Sequence, residues 1–276
     1  MDTFATPVPL PGQTAIGQQK LLLISGPCVI ENEALCFEIA RFLKEVCAEL
    51  DVTYVFKASF DKANRTSVKS YRGPGLEAGL DVLQKIKDQL GVLVTTDFHT
   101  PEQAASVGAV VDILQVPAFL CRQTDLLAAA GETGKVVNVK KGQFMTPEDM
   151  QYAVNKVKET GNDSVVLTER GTTFGYQNLV VDMRSLPIMR QYAPVVFDVT
   201  HSVQRPGAGG GKSAGDRQFA PYLAKAAAAV GVDGFFIETH PNPAVALSDG
   251  PNMIPLQDMK KVLSELVAIA RLRQSF

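Results

Sequence analysis

The sequence predicts a single (β/α)8 barrel of the TIM type. Eight short apolar runs of strand length recur along the 276 residues, and segments with helical periodicity separate them. Each run also ends close to a side chain that can do chemistry. An open doubly wound sheet collects its ligand at one switch point, whereas a barrel uses the carboxyl ends of all its strands. The spread of reactive residues therefore favours the barrel over the open sheet.

The predicted strands follow one another at regular intervals. They comprise residues 21–24, 53–56, 92–94, 111–114, 136–139, 165–167, 195–197 and 235–237. Because all strands of a parallel barrel end on one face, the residues that follow them are predicted to meet in one pocket, as in an enzyme. In strand order these residues are Cys28, Lys57, Asp97 with His99, Gln115, Lys140, Arg170, His201 and Glu238.

Apolar residues spaced three and four apart predict helices between the strands. The clearest is 34–50, and Pro147 is expected in the first turn of another. The remaining patterns cover 76–90, 101–107, 147–160, 219–230 and 256–272, with weaker ones after Arg122 and over 186–192.

Two segments lie outside this alternation. Residues 1–20 contain three prolines and lack the pattern of a secretory signal, so we expect a loosely structured amino-terminal extension before a catalytic domain over 21–276. Residues 206–215 hold five glycines directly after the seventh strand, which predicts a loop that closes over the pocket.

Composition excludes several functional classes. Lys and Arg total 27 against 29 Asp and Glu, so bulk charge gives no reason to expect nucleic acid or anionic membrane as a partner. Four cysteines without CxxC spacing indicate a reducing compartment, and no apolar run approaches the roughly 20 residues that span a bilayer. We therefore expect a cytoplasmic enzyme.

Five cations are predicted at the mouth of the pocket. Like charges repel one another, so such a cluster is typical of a site that binds anions. Arginine can hold a phosphate group through two hydrogen bonds and lysine provides a compact charge, which indicates phosphorylated ligands. The five are Lys57, Lys62, Arg65, Lys140 and Arg170.

A second group of residues has the chemistry of a metal site. Cys28, His201 and Glu238 follow the first, seventh and eighth strands, which are neighbours in a closed barrel, and Asp249 lies in the loop after the eighth. A thiolate, an imidazole and two carboxylates suit a borderline divalent ion such as Zn, Fe, Mn or Co, and Mg is disfavoured by the thiolate. Each residue taken alone is also compatible with a purely structural role.

The longest motif follows the second strand and resembles that of the 3-deoxy-D-manno-octulosonate 8-phosphate synthases. Residues 57–67 read KASFDKANRTS, and the related heptulosonate phosphate synthases typically carry Lys-Pro-Arg-Thr where this chain has Lys62-Ala63-Asn64-Arg65-Thr66. The resemblance extends from Leu21 to about residue 269. Further matching motifs are 71–75 (YRGPG), 115–125 (QVPAFLCRQTD), 138–141 (NVKK), 174–176 (FGY), 197–202 (FDVTHS) and 237–241 (IETHP).

The resemblance implies a homotetrameric barrel enzyme that condenses phosphoenolpyruvate with D-arabinose 5-phosphate and supplies lipopolysaccharide Kdo. It implies that Cys28 marks the metal-dependent class, because the other class has asparagine there. Phosphoenolpyruvate is then expected at Lys57, Lys62, Lys140 and Arg170, with Ser59 and Gln115 nearby. The sugar phosphate is expected at Asn64, Arg65 and Thr66, with Phe119 and Arg122 reaching across a subunit boundary. Proton transfer and catalysis are expected of His201, Asp249, His99, Asp97 and Lys140.

Three alternatives stay open on sequence grounds. The first is a heptulosonate phosphate synthase that uses erythrose 4-phosphate. The second is a Schiff-base aldolase, in which a lysine among other cations has a lowered pKa and acts as a nucleophile. The third is a barrel that binds a sugar phosphate without catalysis.

Overall fold

The computed structural model describes residues 4–207 and 214–275. Eight parallel strands in these ranges pair in chain order, and the last pairs with both the first and the seventh. The strands thus close into a barrel, which confirms the predicted fold. The barrel consists of β3 to β8, β11 and β14 in the numbering of all strands along the described residues. In chain order these are β1 Val8–Leu10, β2 Gln13–Ile16, β3 Leu22–Gly26, β4 Thr53–Lys57, β5 Leu93–Asp97, β6 Ile113–Val116, β7 Val136–Lys140, β8 Val165–Glu169, β9 Thr172–Thr173, β10 Leu179–Val180, β11 Val195–Asp198, β12 Gln204–Arg205, β13 Ala214–Gly215, β14 Gly234–His240 and β15 Ile254–Pro255.

Helices follow the barrel strands and cover the outside of the barrel. α1 begins at Asn32, whose side-chain oxygen accepts a hydrogen bond from the Leu35 amide at 2.9 Å, and it buries one apolar face. The α-helices are α1 Glu33–Leu50, α2 Leu76–Leu90, α3 Ala104–Val110, α4 Thr124–Glu132, α5 Met150–Lys158, α6 Ser185–Met189, α7 Ala220–Val230 and α8 Met259–Gln274. Short 3-10 turns cover Pro101–Gln103, Ala118–Leu120, His201–Val203, Arg217–Phe219, Pro243–Val245, Gly250–Asn252 and Leu256–Asp258.

The predicted helix positions are confirmed with one correction. α4 and α6 occupy the two segments whose periodicity was weak. Pro147, however, lies before its helix, because α5 begins at Met150. The Met150 amide donates to the Pro147 carbonyl at 3.3 Å, so the proline forms a turn that leads into the helix.

The amino-terminal segment differs from the expected loose extension. β1 and β2 pair as an antiparallel hairpin, and Val8, Leu10 and Ile16 are buried on it. These three side chains join the interior cluster that contains Leu22 and Val196, residues of two barrel strands. The hairpin therefore plugs the end of the barrel at which the strands begin. Alternating apolar and proline residues over 7–11 conceal this strand, because proline within a run argues against strand formation.

The opposite end of the barrel is open and carries the loops. β12 precedes the predicted glycine-rich loop, β13 comprises its last two residues, and the two strands pair with each other there. Residues 208–213 of that loop lie outside the described residues. Within the described part of the chain, no helix is both long and apolar enough to cross a membrane.

Candidate active site

One cavity of about 1090 Å³ opens at the carboxyl end of the barrel. All five predicted cations line it, and so do all the predicted strand-end residues except Cys28. The other predicted residues that line it are Asn64, Thr66, Asp97, His99, Gln115, Phe119, His201, Glu238 and Asp249.

Three predicted residues lie away from the cavity wall. Cys28 and Ser59 are fully buried below its floor. Arg122 is exposed outside the cavity of its own chain, and its carbonyl accepts a hydrogen bond from Lys156 at 2.9 Å.

Lys57 is held at the floor by a dense polar network. Its Nζ donates to Ser59 Oγ at 2.7 Å and to the Cys28 carbonyl at 3.2 Å. It also lies 3.7 Å from a carboxylate oxygen of Asp97 and 3.7 Å from one of Glu238. The Ser59 hydroxyl in turn donates to Asp97. Ser59 thus orients Lys57 and Asp97 from below.

Asp97 is an anion at this floor. Burial favours its neutral form, but the Lys57 ammonium and the hydrogen bond from His99 hold the pKa of Asp97 well below its ordinary value. The distance from His99 Nε2 to Asp97 Oδ2 is 3.3 Å.

Lys140 lies on the other side of the floor, above an aromatic ring. Its Nζ donates to Asp198 Oδ2 at 2.6 Å and lies 3.5 Å from the centre of the Phe236 ring. Burial lowers the pKa of Lys140, and the Asp198 carboxylate offsets part of that effect. An ion pair and a cation–π contact together fix this ammonium under the pocket.

Arg170 presents an unused donor to the cavity. Its Nη2 donates to Gln204 Oε1 at 2.6 Å and to the His201 carbonyl at 3.4 Å. Its Nη1 is buried and has no hydrogen-bond partner in residues 4–207 and 214–275. A buried guanidinium nitrogen left in this state is suited to an anionic ligand.

The candidate metal ligands converge as predicted. Ligand atoms of Cys28, Glu238 and Asp249 all lie within 4.8 Å of one another. His201 Nε2 is 3.6 Å from oxygens of both Glu238 and Asp249, so it completes the group from one side. The other ring nitrogen, Nδ1, lies 2.8 Å from Asp198 Oδ2, a contact that orients the imidazole as metal-binding histidines are oriented.

The charges at this group fit a bound cation. Both carboxylate oxygens of Glu238 are buried without a hydrogen-bond partner among the residues that the structure describes. Burial, reinforced by Glu238, raises the pKa of the Cys28 thiol to about 12, so the thiolate needs a further positive charge to form. The residues present therefore suit a divalent metal ion.

The outer part of the cavity is built from the 62–72 segment. The Lys62 amide donates to the Arg72 carbonyl at 2.7 Å, and Arg65 Nε donates to the Tyr71 carbonyl at 3.0 Å. Burial would lower the pKa of Lys62, but Cys28 and the carboxylates below it raise that pKa. Asn64 and Thr66 lie on the exposed side of this segment.

Sequence reasoning missed four residues of this site. Asp198 is itself the last residue of a barrel strand, so the strand-end argument could have found it. Phe236 lies inside an apolar run, Gln143 lies in a loop, and Gln204 lies in the two-residue strand β12, which no sequence pattern indicates. Their contacts depend on tertiary structure alone.

The chain is similar to one protein family and to several proteins that share a single name. The DAHP synthetase I family matches residues 5–274 of the chain. Proteins named 2-dehydro-3-deoxyphosphooctonate aldolase from Koribacter versatilis and Syntrophotalea carbinolica are 59% and 61% identical to it, and each alignment covers 92% of both chains. The protein of that name from Geobacter sulfurreducens is 58% identical over 92% of this chain and 93% of its own.

Proposed function

The chain belongs to the DAHP synthetase I family, and from this premise we propose that its pocket condenses phosphoenolpyruvate with D-arabinose 5-phosphate and water. The products are 3-deoxy-D-manno-octulosonate 8-phosphate and inorganic phosphate. The chain is an enzyme that forms a carbon–carbon bond, as its relatives named aldolase are. The observation that carries the proposal is that one cavity is lined by all five predicted cations, by the 62–66 segment and by the strand-end residues Asp97, Gln115, His201 and Glu238. The shorter erythrose 4-phosphate is not favoured.

Phosphoenolpyruvate is placed at the inner cations. Arg170 Nη1 is a buried donor that has no hydrogen-bond partner among the described residues, and Lys140 and Lys57 line the same cavity. Lys62 adds a further positive charge at the inner end of its segment. These groups are fixed before the ligand arrives, so they stabilise developing negative charge at no cost of reorganisation.

The sugar phosphate is placed at the outer cations. Arg65 and Thr66 offer a guanidinium and a hydroxyl at the cavity wall, and Asn64 between Lys62 and Arg65 faces the space left for the sugar hydroxyls. The open-chain aldehyde then points inwards, towards Asp97 and His99.

The bond changes balance without any further reactant. Carbon 3 of phosphoenolpyruvate attacks the aldehyde carbon, whose oxygen takes up a proton and becomes a hydroxyl. Water adds to carbon 2 and loses a proton, and inorganic phosphate then leaves by cleavage of its C–O bond, which yields the ketone. Asp249, His99 and His201 are the candidates for moving these protons. Lys140 and Arg170 hold the phosphate and carboxylate in place throughout.

A divalent metal ion is part of the proposal. Cys28, His201, Glu238 and Asp249 would hold Mn²⁺, Fe²⁺, Zn²⁺ or Co²⁺, and the ion would supply Lewis-acid polarisation near the aldehyde or the water. The buried, unpartnered Glu238 carboxylate supports it.

The deciding experiment combines elemental analysis of freshly purified protein with a two-substrate assay before and after chelation. We expect phosphate release that requires both substrates, is lost on chelation and returns with added metal. Full activity in metal-free protein would remove the metal from the proposal. Phosphate release that does not need both substrates would contradict the condensation. No phosphate release with both substrates and metal present would leave the non-catalytic barrel.

The Schiff-base alternative has a separate test. Lys57 Nζ lies 3.7 Å from Asp97 and Lys140 Nζ donates to Asp198 at 2.6 Å, so both nitrogens are held by carboxylates instead of being free to attack a carbonyl. Borohydride reduction in the presence of substrate should therefore leave no adduct on either lysine by mass spectrometry.

We also propose a cytoplasmic homotetramer. Exposed aromatic side chains stand on three successive loops at the carboxyl end, and they support a contact with a second copy there: Phe119, Phe144, Phe174 and Tyr176. Arg122, exposed beside Phe119, would reach the neighbouring cavity. The four cysteines are all unpaired, as in a reducing compartment. Light scattering coupled to gel filtration tests the tetramer.

A further inference from the structure

The side chain of Gln204 connects the two ligand sites of the pocket. Its Oε1 accepts a hydrogen bond from Arg170 Nη2 at 2.6 Å, and its Nε2 donates one to Asp249 Oδ2 at 3.1 Å. Arginine can only donate and a carboxylate can only accept, so the amide has one possible orientation. Gln204 therefore lies directly between the proposed anion-binding arginine and a proposed metal ligand.

The backbone around Gln204 strengthens this connection. Gln204 follows the 3-10 turn that begins with His201, and Arg170 Nη2 also donates to the His201 carbonyl at 3.4 Å. The pairing of β12 with β13 holds the Gln204 backbone against Gly215. Arg170, His201, Gln204 and Asp249 thus form one hydrogen-bonded unit.

Both partners of Gln204 have groups that a ligand can use. Arg170 Nη1 is buried without a partner among the described residues. Asp249 Oδ2 lies 3.6 Å from His201 Nε2 and 3.8 Å from Cys28 Sγ, inside the candidate metal group. Asp249 also has a left-handed backbone with φ 47, an uncommon conformation for a residue other than glycine. Its carboxylate is therefore set by side-chain contacts as well as by its turn.

We propose that Gln204 is a positioning residue that couples phosphoenolpyruvate binding at Arg170 to metal binding at Asp249. The inference rests on the proposed function, because it needs both ligands to bind in this pocket. An anion on Nη1 fixes the guanidinium, the guanidinium fixes the amide, and the amide fixes the carboxylate oxygen that faces the metal group. By thermodynamic linkage, each ligand then tightens the binding of the other by the same factor.

Direct attraction between the anion and the metal ion also contributes to coupling, and it does not need Gln204. Two variants separate the contributions. Gln204→Leu removes both hydrogen bonds at similar side-chain volume. Gln204→Glu keeps an acceptor for Arg170 but has no donor for Asp249. Gln191→Leu, at an exposed glutamine outside the cavity, is the matched control.

The experiment is a titration of the metal-free, full-length protein with Co²⁺, with and without phosphoenolpyruvate, read by the absorption of the cobalt–thiolate bond. In the wild type and the Gln191→Leu control we expect phosphoenolpyruvate to tighten Co²⁺ binding about tenfold, within the usual range of coupling. In Gln204→Leu and Gln204→Glu we expect a factor of about two or less. Phosphoenolpyruvate alone should bind Gln204→Glu within about threefold of the wild type, since the Arg170 contact is kept.

A tenfold factor retained in either Gln204 variant would overturn the inference and leave the proposed function intact. A wild type that takes up no Co²⁺, or binds no phosphoenolpyruvate, would instead contradict the proposed function and the inference with it. Circular dichroism checks the fold of each variant, and Gln204→Glu decides the question if Gln204→Leu does not fold.

Discussion

The two ends of the barrel differ in whether their buried polar side chains have hydrogen-bond partners. At the end where the strands begin, Arg190 donates to both carboxylate oxygens of Asp233, at 2.8 and 3.1 Å, and Asp233 also accepts from the Val195 amide at 2.7 Å. At the carboxyl end, Glu238 and Arg170 keep buried polar atoms that have no partner in the described part of the chain. Charges at the first end stabilise the protein, whereas those at the second end are arranged for ligands.

The distribution of unpartnered atoms supports this contrast. Within residues 4–207 and 214–275, most of the buried side-chain polar atoms without a hydrogen-bond partner belong to residues at the carboxyl end: His99, Gln115, Gln143, Arg170, Glu238, His240 and Asn252. Thr53 and Arg273 lie at the other end. Unsatisfied buried groups cost stability, so their concentration on one face shows where the fold gives up stability for binding.

The largest effect is expected at the paired end. Arg190→Met leaves the Asp233 carboxylate buried without its cation, and breaking such a pair lowers the free energy of unfolding by about 3–5 kcal/mol. Denaturant unfolding measures it. Arg184→Met, in an exposed pair with Asp182, is the control and should cost less than about 1 kcal/mol. An equally small cost for Arg190→Met would show that the buried pair is dispensable.

At the carboxyl end, removal of a buried charge should not lower the free energy of unfolding. Glu238→Gln replaces a buried carboxylate, without a hydrogen-bond partner among the described residues, by a neutral amide. Lys57, 3.7 Å from it, keeps its contacts with Ser59 and Asp97, so the unfolding free energy of the metal-free protein should stay constant or rise by about 1–2 kcal/mol. Turnover should fall by about a hundred- to a thousandfold, because a metal ligand is lost. Metal content, denaturant unfolding and the two-substrate assay test the pair of effects. Activity retained in a destabilised variant would contradict the contrast between the two ends.

A third prediction distinguishes the two ligands within the carboxyl end. Arg65→Ala removes a charged hydrogen-bond donor from the outer wall, and we expect the KM for D-arabinose 5-phosphate to rise by roughly 10- to 100-fold, the equivalent of about 1.5–3 kcal/mol. The KM for phosphoenolpyruvate should change much less. Arg65→Lys, which keeps the charge, should recover part of the loss. Equal losses for both substrates would count against separate inner and outer sites.

The same contrast explains what the sequence could predict. The eight strands and their reactive ends were predictable, because buried parallel strands are continuous apolar runs and polar residues such as Lys57, Lys140 and Glu238 end them. The barrel topology then brought these ends together without any information on contacts. The order of the strands also indicated that Cys28, His201 and Glu238 would lie close together.

The features that could not be predicted from the sequence depend on contacts between distant segments. Gln204 is hydrogen-bonded to Arg170 and Asp249, 34 and 45 residues away, and no pattern in the sequence around it indicates these contacts. Ser59 shares a motif with residues of the cavity wall but points below the floor to Lys57. The amino-terminal hairpin was missed because its prolines hide the alternation of Val8, Leu10 and Ile16.

The smallest effect is expected within that hairpin. Ile16→Val removes one buried methyl group from the plug, so the free energy of unfolding should fall by about 0.5–1.5 kcal/mol. The loss lies in apolar packing against Leu22 and Val196, at the end of the barrel opposite the cavity. kcat and both KM values should therefore match those of the wild type when assayed well below the unfolding temperature. Denaturant unfolding and steady-state kinetics on the same preparation measure both quantities. A change in KM for either substrate would show that the β1–β2 hairpin controls the positions of the barrel strands as far as the cavity. In that case the two ends of the barrel would not serve stability and binding separately.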